Sequence, residues 1–124
     1  MEKIALKRVK PGRAAALMEA AGLTDPSKRQ TPSTIASNGE CFSLKVDGHE
    51  GVFVVEKQGG VLWIAGAGAM KSKGLTATGL QVIEQLARQS DCQRVSFQTG
   101  RRGLARLAGK QGYRVVGVIM EKSV

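Results

Sequence analysis

Between residues 70 and 80 the chain reads MKSKGLTATGL, which gathers Lys71, Ser72, Lys73 and Thr76 around Gly74 and then Leu75, where a helical pattern begins. Ammonium groups, hydroxyls and a tightly turning glycine are the parts of a phosphate-binding turn. The first N–H groups of a helix have no intrahelical partners, and they lie at the positive end of its dipole. Just upstream, WIAGAGAM places the small residues Ala65, Gly66, Ala67, Gly68 and Ala69 in succession. Small residues inside a strand mark a bulge, the close approach of another chain, a hairpin end, or tight packing under a helix. All four remain open at this point.

Acid–base groups are scarce around this stretch. No carboxylate lies between Lys57 and Ile83, so Glu56 is the nearest candidate base, and the single histidine, His49, falls in a hairpin turn. Cys41 and Cys92 are far apart and belong to no Cys/His cluster of metal-ligand spacing, so they read as free thiols and no metal site is expected. Arg102, Arg106 and Lys110 recur every four residues, with Arg101 ahead of them and Leu104 and Leu107 on the opposite side. That stripe is either an anion-binding face or a solvated one.

Nineteen Lys and Arg against ten Asp and Glu give a formal charge of +9, which favours an anionic partner: nucleic acid, a phosphorylated cofactor or an acidic protein surface. A nucleic-acid-binding protein is the least favoured of these. One Trp, one Tyr and three Phe supply few stacking groups, and neither an RNP-like sequence nor zinc-finger spacing occurs. No secretory leader or membrane-spanning run is evident, so a cytoplasmic protein without a membrane partner is expected.

The elements that must position these residues follow from periodicity. A length of 124 residues suits one domain, 1–124, with a single core. KIALKRV, residues 3–9, reads as a strand, and Pro11 opens a short helix ending at Gly22. Residues 23–41 read as a long loop with at most one helical turn. Asp47-Gly48 and Gly59-Gly60 punctuate a three-stranded antiparallel meander over 41–69. Its first strand should have one wet face (Ser43, Lys45), and Val61–Ile64, with Trp63 in it, should be buried. Leu75, Gly79, Val82, Ile83 and Leu86 share one face of a helix, followed by the strand QRVSF, a helix closed by Gly112, and a last strand YRVVGVIMEK.

This order resembles the GCN5-related N-acetyltransferase (GNAT) superfamily across nearly the whole chain. The best local match is GLARLAGKQGYRVVGVIMEK, in which Lys110, Gly112, Tyr113 and Met120 fall where the family pattern has them. The resemblance implies an α/β (α+β) fold with a mixed, mostly antiparallel sheet of about six strands flanked by helices. It also implies acetyl-CoA or CoA held by a turn aligned on Lys71, Gly74 and Thr76, with lysine in place of arginine or glutamine and threonine in place of glycine or alanine. Ala65, Gly66 and Ala67 would pair with the pantetheine arm, while Ser72, Lys73, Leu75, Arg101 and Arg106 complete the cofactor set.

An enzyme of this type moves acetyl from acetyl-CoA to an amine on a small molecule or protein, and homodimers are common in the family. Glu56 is then the expected base. The family's tyrosine acid aligns with Ala108 and its upstream asparagine with Arg101, while Tyr113 stands where a packing phenylalanine is usual. A second reading is therefore a catalytically inactive GNAT-fold binding or assembly module, of a kind that viral genomes could also carry.

Overall fold

A computed structural model describes residues 4–21, 31–69, 75–99, 101–118 and 120–124. Five strands form one sheet in the order β1 (Ile4–Arg8), β2 (Glu40–Val46), β3 (His49–Gln58), β4 (Val61–Ala69), β5 (Arg94–Phe97). Neighbours run antiparallel except β4 and β5, which are parallel. Both hairpin loops have two residues. Asp47 and Gly48 have φ of 51° and 84°, and Gly59 has φ of 62°, the positive values that tight hairpins require.

Helices cover both faces of the sheet. On one side, α1 (Pro11–Ala20) and α2 (Pro32–Ser37) bury Ala14, Met18, Ile35 and Ala36 against Cys41, Val52 and Val54. Pro11 opens α1 where its missing N–H has no partner to lose. Thr31 caps α2, its hydroxyl accepting the Thr34 N–H at 3.2 Å. Part of the stretch expected as loop is therefore this short helix, and residues 22–30 lie outside the described residues. On the other side, Leu75, Leu80, Ile83 and Ala87 of α3 (Leu75–Gln89) and Ala108 of α4 (Arg102–Lys110) pack on Phe42, Leu44, Phe53, Val55, Leu62 and Ile64. The Phe42 and Phe53 rings stack at 5.2 Å.

Three expectations change. The meander's first strand is not wet on its second face, because α1 and α2 cover Cys41 and Ser43, leaving only Lys45 exposed. In β4 only Leu62 and Ile64 of the first four residues are buried. Trp63 points to the opposite face, is half-exposed and belongs to neither core cluster. Among the described residues the last strand does not form: residues 113–118 and 120–124 belong to no strand, and the sheet has five strands and not about six. A strand gains its hydrogen bonds only from a neighbour, so an apolar strand-like pattern without an adjacent edge stays irregular.

Gly39, between α2 and β2, is a position of close approach. A Cβ there would lie 2.6 Å from Val54 Cγ1 and 2.8 Å from the Val55 carbonyl oxygen. The backbone oxygen cannot turn aside as a side chain could. Gly39→Ala should thus cost about 1–3 kcal/mol by overpacking, seen as a lower urea midpoint with unchanged slope. An unaltered midpoint would contradict this packing.

Candidate functional site: the unpaired edge of β4

The site is built by two irregularities in β4. Val54 pairs with Gly66 and Val55 with Ile64, so Ala65 is an extra residue on β4, a β-bulge. On the other edge the parallel ladder with β5 runs from Val61↔Arg94 to Ile64↔Phe97 and stops there. Among the described residues, β4 from Ala65 onward has β3 on one side and no strand on the other. Its backbone groups on that side can pair with an extended polyamide, as an added strand would.

Helices hold both faces of the opened segment. A Cβ on Gly68 would lie 2.8 Å from the Ala21 Cβ at the end of α1, and one on Gly51 would lie 3.1 Å from the Leu75 side chain at the start of α3. Helix packing thus accounts for the glycine at 68. Ala65 and Gly66 are half-buried and Ala67 is exposed. The placement of Leu75 against Gly51, whose partner is Ala69, brings the first turn of α3 to the far end of the opened edge.

That first turn carries no acidic residue. Leu75 is buried, so any contact it makes with an anion comes from its backbone, whereas Thr76 is exposed. Lys71, Ser72, Lys73 and Gly74 lie outside the described residues. Arg101, at the N-terminal cap of α4, and Arg106, within it, are exposed. The connection from α4 to this turn runs through the other end of the helix, where Gln111 donates from Nε2 to the Ala77 carbonyl at 3.4 Å. Gln111 carried no signal in the sequence, since a solvated glutamine after a helix is unremarkable.

Glu56 lies one strand away. Strand alternation puts it on the α1/α2 face with Val54, half-buried, directly opposite Trp63, which in turn is opposite Ser96 on β5. Across the antiparallel β3–β4 pair such neighbours have Cβ atoms about 4.5–5.5 Å apart. A carboxylate, an indole and a hydroxyl therefore form a row that ends two residues before the bulge. His49 is exposed at the β2–β3 turn, well along β3 from Glu56.

Tyr113 is half-exposed, and it packs on the α3 side. Its ring meets Phe97 edge-on at 5.6 Å, and its hydroxyl donates to Glu84 Oε2 at 2.9 Å. Burial, then the hydrogen bond and the Glu84 charge, push its ionisation well above the ordinary tyrosine range. It is a structural donor rather than an acid tuned for neutral pH. Ala108, where the family's acid aligns, is buried and apolar. Burial also raises the Cys41 thiol, which donates to the Ala36 carbonyl at 3.3 Å.

Among the described residues no group of three or more His, Cys, Asp or Glu is placed to hold a metal ion. Nor is any helix there long and apolar enough to cross a membrane. No family model matches the chain, and comparison with curated proteins finds no match. Solved structures do match it. An IAA acetyltransferase from Bacillus cereus ATCC 14579 is 21% identical with a TM-score of 0.72, covering 93% of this chain and 79% of that one. A Bacillus subtilis acetyltransferase in complex with CoA is 20% identical with a TM-score of 0.67, covering 94% and 79%. A ribosomal-protein-alanine N-acetyltransferase from Brucella melitensis biovar Abortus 2308 is 13% identical with a TM-score of 0.62, covering 99% and 100%. The chain has the GNAT acetyltransferase fold.

Tyr113→Phe should lower stability by roughly 1 kcal/mol, the worth of one hydrogen bond to a charged acceptor at a partly exposed site. The raised ionisation fixes the sign of the pH dependence. The contribution is fully present below the ordinary tyrosine value of about 10 and falls as pH rises above it. Denaturation of both proteins from pH 7 to 11 should show the difference shrinking at the alkaline end; a constant difference would contradict the assignment.

Proposed function

We propose that the protein is an N-acetyltransferase that moves acetyl from acetyl-CoA to a primary amine. The observation that carries this reading is the β4 edge freed at the Ala65 bulge and leading toward the N-terminus of α3. Ala65, Gly66 and Ala67 would pair with the amide-bearing arm of the cofactor. The backbone of the turn from Lys71 to Thr76 would receive its pyrophosphate, helped by the Lys71 and Lys73 charges and by the lack of acidic groups in the first turn of α3. Ser72, Leu75, Arg101 and Arg106 belong to the same proposed set, the arginines as long-range attraction for phosphate. When bound, acetyl-CoA supplies a thioester carbonyl for attack.

The chain's own residues would do the rest. The row Glu56–Trp63–Ser96 receives the acceptor: the Glu56 carboxylate and the Trp63 ring face both attract an ammonium group. Glu56, directly or through one water, takes the ammonium proton, and the freed nitrogen forms the new bond to the carbonyl carbon as the carbon–sulfur bond breaks. Solvent supplies the proton for the leaving sulfur, because Ala108 offers none. Holding both reactants beside the bulge contributes most of the rate, by proximity.

A second reading is favoured by one observation. Ala108 is buried in the core where the family places its acid, which suits a GNAT-fold binding module without catalysis. Activity against a panel of amines and peptides separates the two, since only the first predicts acetylated product and released thiol.

Titration calorimetry with acetyl-CoA should give one site per chain, and Gly74→Glu should weaken it at least tenfold, about 1.4 kcal/mol, through bulk and like charge. A folded wild-type protein that gives no heat would remove the reading. Trp63 is the sole tryptophan, so its fluorescence should shift on adding a primary alkylamine in the presence of CoA. Glu56→Gln should lower kcat by about 10²-fold; unchanged kcat would move the base elsewhere.

A further inference from the structure

Among the described residues β5 ends the sheet, paired with β4 and with no strand beyond it. Along it lies a cavity of about 530 Å³, a volume that suits a small molecule. All four residues of β5 line it, although alternate residues of a strand point to opposite faces, so the cavity reaches around the free edge of the strand. No residue of β4 and none of the described residues of the cofactor set is on its walls; it shares only Ser96 with the proposed acceptor row.

The walls are held in place. The Gln93 and Arg94 N–H groups both donate to the Gly60 carbonyl, at 2.8 and 3.2 Å, which fixes the start of β5. The Tyr113 N–H donates to the Ala108 carbonyl at 3.1 Å, its ring lies edge-on to Phe97, and its hydroxyl is held by Glu84. Phe97 and Tyr113 thus form a fixed aromatic wall. Beside it Val115 and Val116, which also line the cavity, are 85% and 79% exposed. Apolar side chains left open around one concave space mark a place where a ligand covers them.

Charge narrows the class of ligand. Arg88 of α3, Arg94 of β5 and Arg114 after α4 all line the cavity. Among the described residues the only carboxylate on its walls is Glu84, already accepting from Tyr113. Arg88 donates to Gln85 Oε1 at 3.2 Å, and the ion pairs of the described residues, Arg8–Glu40 and Arg13–Glu50, involve none of the three arginines. Three guanidinium groups from three separate elements therefore surround one space that holds a single negative charge.

We propose that this cavity binds an aromatic organic anion. The ring lies against Phe97, Tyr113 and the two exposed valines, and the phosphate or carboxylate group is bound by Arg94 and Arg114, whose planar forks match either. A peptide strand would also suit a free strand edge, but it brings neutral amides to three arginines. An anion on an aromatic body satisfies the cations and the rings together.

NMR titration of the full chain with 1-naphthyl phosphate and 1-naphthoate should show one saturable site, with shifts centred on Val95–Phe97, Tyr113, Val115 and Val116. The tighter of the two identifies the preferred head group. The neutral 1-naphthalenemethanol should bind at least about tenfold more weakly, and added salt should weaken the anions alone. The double variant R94E, R114E alters two exposed side chains and should keep its far-ultraviolet spectrum. It should weaken both anions at least about tenfold and leave the neutral compound unchanged, whereas a collapsed cavity would weaken all three. Gly74→Glu, which acts on the proposed cofactor turn, should leave naphthyl phosphate binding intact. Four results would overturn the proposal: no saturable shift at millimolar ligand, meaning that chain or solvent fills the space; equal affinity for the neutral compound; anion binding unaffected by R94E, R114E; or displacement by acetyl-CoA, which would put the anion in the cofactor groove.

Discussion

Everything in this fold turns on a hydrogen-bond ladder that stops early. β4 and β5 share four residue pairs and then separate at Ile64, directly before the extra residue at Ala65. A parallel ladder left open inside a small protein exposes backbone N–H and C=O groups that elsewhere would be paired. Those groups are tolerable only if solvent or a ligand reaches them. The opened edge is thus both the weakest part of the sheet and its most useful part.

What keeps the edge open is packing on both sides of β3. The central strand is buried from Gly51 to Val55, with alternate residues committed to the α1/α2 core and the α3/α4 core. β4 is anchored to it along its length, so the bulge cannot be relieved by sliding the register. Gly68 lets the end of α1 approach, and Gly51 lets Leu75 do so. The small residues therefore have two duties along one strand. At 68 the glycine makes room for a helix, while at 65–67 small side chains leave the edge unobstructed.

Much of this was legible in the sequence, and the failures are instructive. Asp47-Gly48 and Gly59-Gly60 marked both hairpins because few other dipeptides accept their backbone angles, and the apolar period after Gly74 located α3. The small residues of 65–69 signalled an irregularity, but could not say which of them was the extra one. Trp63 is half-exposed although a continuous apolar run looks buried on both faces; whether a helix covers the second face depends on where α1 and α2 land. Cys41 and Ser43 show the same limit in reverse. The final apolar run has the composition of a strand and forms none among the described residues, because a strand requires an edge, and that is not a property of the segment itself. The row of Glu56, Trp63 and Ser96 is tertiary: thirty-three residues separate Trp63 from Ser96, and only the register brings them together.

The most direct test of the central claim, that the opened β4 edge receives an extended amide-bearing ligand, is amide hydrogen exchange resolved by residue with and without acetyl-CoA. Addition should slow exchange at Gly66–Gly68 while leaving the already buried Val52–Val55 unchanged. Equal exchange at Gly66–Gly68 in the two states, at saturating acetyl-CoA, would contradict it.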